Sequence, residues 1–102
     1  MNSIVAGTTN YITVSFYDKN GTLAAPSSAS WKAIDVETKT EMQSTTVLTP
    51  ASSIEITVPD TVNVLVDDTN WVETRRIIVT ASYGVGESIV ATFDYQISNS
   101  EK

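Results

Sequence analysis

The sequence predicts an all-β fold, a two-sheet antiparallel sandwich of about seven strands. Three observations point there. Valine and isoleucine together number 21 against three leucines, and threonine adds 15. Side chains branched at Cβ lose rotamer freedom in a helix and fit a pleated surface instead. Apolar and polar residues alternate with period two in several runs, the pattern of half-buried strands. Turn residues separate those runs at short, even intervals.

In "NYITVSFY", Ile12, Val14 and Phe16 form one face while Tyr11, Thr13, Ser15 and Tyr17 form the other. Asp18 to Gly21 then makes a tight reversal, because Asn20 and Gly21 tolerate positive φ. The return limb "TLAA" is stopped by Pro26, which has no N–H to give to a ladder. Such a break suits a corner at which the chain changes sheets. Beyond it "SASWKAI" is the next strand, opened by Trp31, the side chain expected to seat in the core. "DVETKTE", residues 35–41, is a polar reversal.

Pro50 and Pro59 bound the strand in "ASSIEITV", where Ile54, Ile56 and Val58 face inward. "PDTVNVLVDDTNWVE", residues 59–73, is the inter-sheet connection, with a single helical turn around Val62 to Val66 and Asp60 as its N-cap. A strand starting near Arg75 presents Ile77, Val79, Ala81 and Tyr83 on one face. After a short hairpin at Gly84 and Gly86, the last strand presents Ile89, Ala91, Phe93, Tyr95 and Ile97. One domain covers residues 1–102, with 1–9 and 98–102 expected as flexible or assembly-ordered tails.

Composition excludes much chemistry. The chain has neither His nor Cys, so Ser-His-Asp and Cys-His nucleophiles, His-ligated zinc and disulfides cannot be built. Net charge is −6, and the isoelectric point is about 4.3. Neither nucleic acid nor an anionic membrane is an expected partner. The opening "MNSIVAGTTNY" has no basic stretch followed by an apolar run, so synthesis in the cytoplasm is expected. No catalytic residue, cofactor or metal site is assigned. Asp67, Asp68 and Asn70 form a cluster of oxygen ligands, but without the spacing of a calcium loop they read as a solvated turn. Asp35 with Glu37, or Asp94 with a partner, are not read as a hydrolytic pair, because a sandwich of this size without a cleft-forming insertion is a poor host for one and alternation puts Asp94 on the polar face of its strand.

Candidate interface residues are Trp71, Glu73, Arg75, Arg76, Tyr11 and Tyr17. Trp71 packs in the core or, in a polar connection, marks a contact surface. Tyr11 and Tyr17 either cover a sheet edge or join an interface. Glu73, Arg75 and Arg76 form local ion pairs of small value or dock a neighbour's carboxylates.

Three segments, "VSFYDKNGTLAAPSSASWKAIDVETKTEM", "SIEITVP" and "VETRRIIVTASYGVGESIVATFDYQI", together resemble small single-domain bacteriophage virion proteins with an immunoglobulin-like sandwich. The likeness lies in the "FYDKNG" turn, the "P-S-S" step before Trp31, the acidic turn after it, "V-E-T-R-R" leading into "IVTASYG", and the closing "ATFDYQI". It spans residues 12–97. What the resemblance implies is a structural role in a virion assembled in the host cytoplasm: a capsid decoration or cement protein, or a neck or tail component. Partners would then be the major capsid protein or neck and tail proteins, together with copies of the chain itself. A carbohydrate- or receptor-binding sandwich is the alternative of another class. The start "SIVAG" would be an arm adding a strand to a neighbour's open edge.

Overall fold

The structure is a computed structural model that describes residues 3–100. It is all-β. Among the described residues seven strands run in chain order: β1 (Ser3–Val5), β2 (Asn10–Ser15), β3 (Ser28–Asp35), β4 (Glu41–Leu48), β5 (Ser53–Val58), β6 (Val72–Gly84) and β7 (Glu87–Ser98). They build a mixed five-stranded sheet of order β1-β7-β6-β3-β4 and a two-stranded sheet, β2-β5. Every strand pair is antiparallel except β1 with β7.

The predicted corner is where the chain changes sheets. Asp18 Oδ1 accepts from the amides of Asn20 and Thr22, and Gly21 takes a φ of +80°. The return limb shrinks to one bridge, Tyr17 to Leu23. Past Pro26 the amide and hydroxyl of Ser27 both donate to the Ser82 carbonyl, which starts β3 along β6. β2 therefore lies in the small sheet and β3 in the large one.

Between the sheets lies an apolar core. Val14, Phe16, Ile54, Ile56 and Val58 meet Ala29, Trp31, Ala33, Ile77, Val79, Ala81, Tyr95 and Ile97, with Val62 closing one end. Trp31 is buried as expected. Burial fades along β7: Ile97 and Tyr95 are inside, Phe93 and Ala91 half-buried, and Ile89 is 39% exposed. The two six-residue strands of the small sheet are too short to cover the whole of β6 and β7. Thirteen residues of β6 span about 43 Å at the usual rise. That length sets the long axis of a molecule measuring 47 × 20 × 20 Å. The radius of gyration, 14.8 Å, exceeds the roughly 13 Å of a compact domain this size.

Three expectations are corrected. The described part of the first tail is ordered in place: β1 pairs with the end of β7, Ser3 to Gln96 through Val5 to Ser98. Its strand is added to its own sheet rather than to a neighbour's. At the other end, Ser98 closes β7 and Asn99 is buried and hydrogen-bonded; residues 1, 2, 101 and 102 of the expected tails lie outside the described residues. The helical turn is a 3-10 turn at Asp60–Asn63, earlier than expected, and its N-cap is Pro59, so Asp60 caps nothing. Finally, "EMQSTTVL" forms β4 although it lacks alternation. Two register shifts against β3 put bulges into it, and those scramble the period.

Core packing here is judged by truncation. Ile56 is 1% exposed and central in β5. Ile56→Ala should lower the unfolding free energy by about 2–5 kcal/mol in urea denaturation, whereas Ile89→Ala at the open end should cost far less.

Candidate interaction surface

Alternation carries β6 inward at Ile77, Val79 and Ala81, and it carries Arg75 and Glu73 inward with them. Arg75 is fully buried and Glu73 is 4% exposed. An isolated charge there would be prohibitive, so the neighbours must satisfy both groups. Arg75 Nη1 donates to Asp35 Oδ1 at 2.6 Å, Nε to the Val62 carbonyl at 2.9 Å, and Nη2 to the Val64 carbonyl and to Glu73 Oε1 at 2.6 and 2.9 Å. Asp35 stands opposite Arg75 in the β3–β6 ladder and turns its second oxygen to the amide and hydroxyl of Thr38. Glu73 accepts from the amides of Val66 and Asp67 and from Asn70 Nδ2. No buried side-chain polar atom among the described residues is left without a partner.

Burial alone would raise the Glu73 carboxyl, but the Val66 and Asp67 amides, Asn70 and Arg75 outweigh it and hold it below its ordinary value of 4.5. The cluster thus acts as a strut. It clips the connection between β5 and β6 onto the large sheet.

Asn63 does the same from the other side. Its amide nitrogen donates to the Thr8 carbonyl and to Asn10 Oδ1, and its oxygen accepts from the Tyr95 hydroxyl at 2.6 Å. Burial pushes the Tyr95 phenol up to about 12, which keeps it protonated and donating. Asn99 Nδ2 donates to the carbonyls of Asp68 and Asn70, and the Asn99 amide to the Trp71 carbonyl. The base of the molecule, where β6 begins and β7 ends, is therefore tied by side chains from several elements at once.

Of the two readings open for Glu73 and Arg75, the structure shows the local ion pair, buried rather than exposed, and not a pair placed to dock a neighbour's carboxylates. Arg76, of opposite parity, lies on the outer face and makes a two-pronged pair with Asp94 at 2.8 and 2.9 Å. The hydrogen bonds and charge of Asp94 raise the Arg76 guanidinium, and Arg76 in turn holds the Asp94 carboxyl low. Trp71 is 68% exposed, which corrects the expectation of core packing. It precedes Val72, and the ladder lines Val72, Ser98 and Val5 up across three strands, so Trp71, Val72 and Val5 are all exposed at the base.

Tyr11 is exposed on the outer side of the small sheet, and Tyr17, past the end of β2, is exposed where it bridges to Leu23. Tyr17 also lines a groove of about 560 Å3 at the opposite end of the molecule, with Tyr83, Ile89, Asp18, Lys19 and Glu87. The structure keeps the six expected interface residues in separate places: two inside, Arg76 on the large sheet, Trp71 at the base, Tyr11 on the small sheet and Tyr17 past the end of β2. In the acidic loop, Asp67 Oδ1 accepts from the amide and hydroxyl of Thr69, and Asn70 serves Glu73. Both residues hold the turn.

The inward parity of Arg75 and Glu73 was available in the sequence beside Ile77 and Val79. Asp35 shares parity with Trp31 and Ala33 in the same way. No local signal marks Asn63, whose role depends on the distant Thr8, Asn10 and Tyr95.

Comparison of the chain with protein-family models, with curated proteins and with solved structures gives no match.

Two measurements check the strut. Arg75→Met strands Asp35 and Glu73 without their cation and should lower the unfolding free energy by about 3–5 kcal/mol, against a much smaller loss for Arg76→Met on the surface. Because the folded-state pKa of Glu73 is depressed, its contribution is complete above pH 4.5 and is lost as pH falls below that. Wild type should therefore be more stable than Glu73→Gln at neutral pH, and the gap should narrow on acidification below pH 4.5.

Proposed function

We propose that this chain is a non-enzymatic structural protein of a bacteriophage virion, carrying an immunoglobulin-like sandwich and attached to the capsid as a decoration protein. The strand order supports the immunoglobulin-like sandwich in that reading. In the large sheet β7-β6-β3-β4 follows the order G-F-C-C′ of an immunoglobulin sheet, and β2-β5 follows B-E. β1, parallel to β7, stands in the place of a strand that switches sheets. The resemblance through "FYDKNG", the Trp31 strand and "V-E-T-R-R" supports the same group.

Physical economy favours the role. Buried ionisable groups act as internal struts, and a narrow rod of β-structure exposes Trp71, Val72 and Val5 at its base. Attachment through Trp71, Val72 and Val5 leaves the rest of the rod pointing away from the shell. Aromatic anchors of this kind dominate binding energy at interfaces.

A second reading, a carbohydrate-binding sandwich, draws on the groove between Tyr17 and Tyr83, where apolar walls stand beside Asp18, Lys19 and Glu87. Mass spectrometry of particles purified from the source separates the two. A copy number comparable with that of the shell protein is the expected result. A single ring's worth would move the protein to the neck or tail, and absence from particles combined with glycan binding lost in Tyr17→Ala would favour the second reading.

A further inference from the structure

The geometry points to a homodimer formed when the outer edge of β7 pairs with the same edge of a second copy, so that two five-stranded sheets become one. The inference stands on strand pairing alone and is independent of the virion reading.

The large sheet has two edges, and they differ. β4 carries two bulges, which twist and interrupt its outer edge in the way that guards edge strands. β7 has no such guard. Its register with β6 is unbroken from Ser98 to Ser88, and β1 covers it only at Gln96 to Ser98. From Ser88 to Phe93 the outer edge has no strand partner among the described residues. That run, "SIVATF", holds no charge and no proline, and it exposes Ile89 at 39% and Val90 at 65%. Regular, uncharged and β-branched edges are templates for a further strand.

A second copy fits this edge in one symmetric register. A two-fold axis normal to the sheet keeps inner faces together and makes the paired strands antiparallel. The free stretch between the start of β7 at Glu87 and the first residue covered by β1 is centred on Ala91. With the axis at Ala91, Ile89 of one copy faces Phe93 of the other twice on the inner side, and Val90 faces Thr92 twice on the outer side. Ser88 then faces Asp94, and Glu87 faces Tyr95. No like charges are opposed, and the Ser88 hydroxyl is placed to donate to the carboxylate that Arg76 already binds. The Ile89–Phe93 pairs cover the part of the inner face that the short sheet leaves half-exposed. β1 ends the pairing by occupying the edge beyond Tyr95.

Each copy carries a charge of −6, so association should strengthen as salt screens the long-range repulsion. The test is sedimentation equilibrium of the full chain up to roughly 1 mM, at low and at physiological ionic strength. The expected result is a species of twice the 11.0 kDa chain mass, favoured by salt. The double variant V90K/T92K opposes lysines across the axis on an exposed face and should weaken the dimer at least about tenfold, with thermal stability of the monomer retained. V90E/T92E should do the same alone, and an equimolar mixture of the two should restore the dimer. A wild-type chain that stays monomeric overturns the inference. So does a dimer that V90K/T92K leaves unchanged.

Discussion

A guanidinium with no exposed surface fixes the lower half of this molecule. Arg75 reaches Asp35 from β3, Glu73 from its own strand and the carbonyls of Val62 and Val64 from the connection after β5. Without it, residues 59–71 would be a long, irregular crossover of the kind that is ordinarily mobile. With it, the crossover becomes a wall of the core: Val62 is fully buried and Asn63 beside it gathers Thr8, Asn10 and Tyr95. A buried ion pair of this sort adds little over a well-packed apolar cluster in stability. Its contribution is directional, because planar donors accept only a narrow set of carbonyl and carboxylate positions.

That constraint explains an asymmetry between the two ends of the rod. At the base, Glu73 accepts from Val66, Asp67 and Asn70, Asn99 Nδ2 donates to the carbonyls of Asp68 and Asn70, and the Asn99 amide donates to the Trp71 carbonyl, so the exposed aromatic there rests on a braced loop. At the far end the small sheet has run out, and the inner face of β7 is half-open. Among the exposed apolar side chains, those at the base beside Trp71 and those on the β7 edge each suit a different contact: side-chain anchoring at one, strand pairing at the other. A virion component that binds a shell through its base while pairing sideways through β7 would use both.

Much of the fold was legible in the sequence because period-two alternation is a local property. It marked β2, β5, β6 and β7, while the chemistry of Asn20-Gly21 and Pro26 marked the change of sheet and Trp31 the strand, β3, that resumes beyond it. β1 and β4 were not legible. β1 is three residues long and exists only because the end of β7 offers a free edge to Ser3 through Val5. In β4, bulges opposite Trp31 to Ile34 destroy the alternation that would have announced it. The candidate site is less legible. Charge alone suggests that Arg75 and Glu73 belong outside, whereas their parity with Ile77 puts them on the core face. Trp71 is a large apolar side chain, yet it follows the polar run from Asp67 to Asn70 and stands at the surface. In both cases residue type and position along the chain point in opposite directions, and position decides.

Native-state hydrogen exchange at two amides tests the role of the Arg75 cluster most directly. Val66 and Asp67 lie in an outwardly exposed loop, and their N–H groups donate to Glu73. If the buried cluster clips the crossover to the sheet, both amides should exchange as slowly as that of Ile77 in the middle of β6, opening only when the whole molecule unfolds. Exchange at the rate of a free loop, while Ile77 stays protected, would contradict it: the crossover would then be held by nothing more than its own turns.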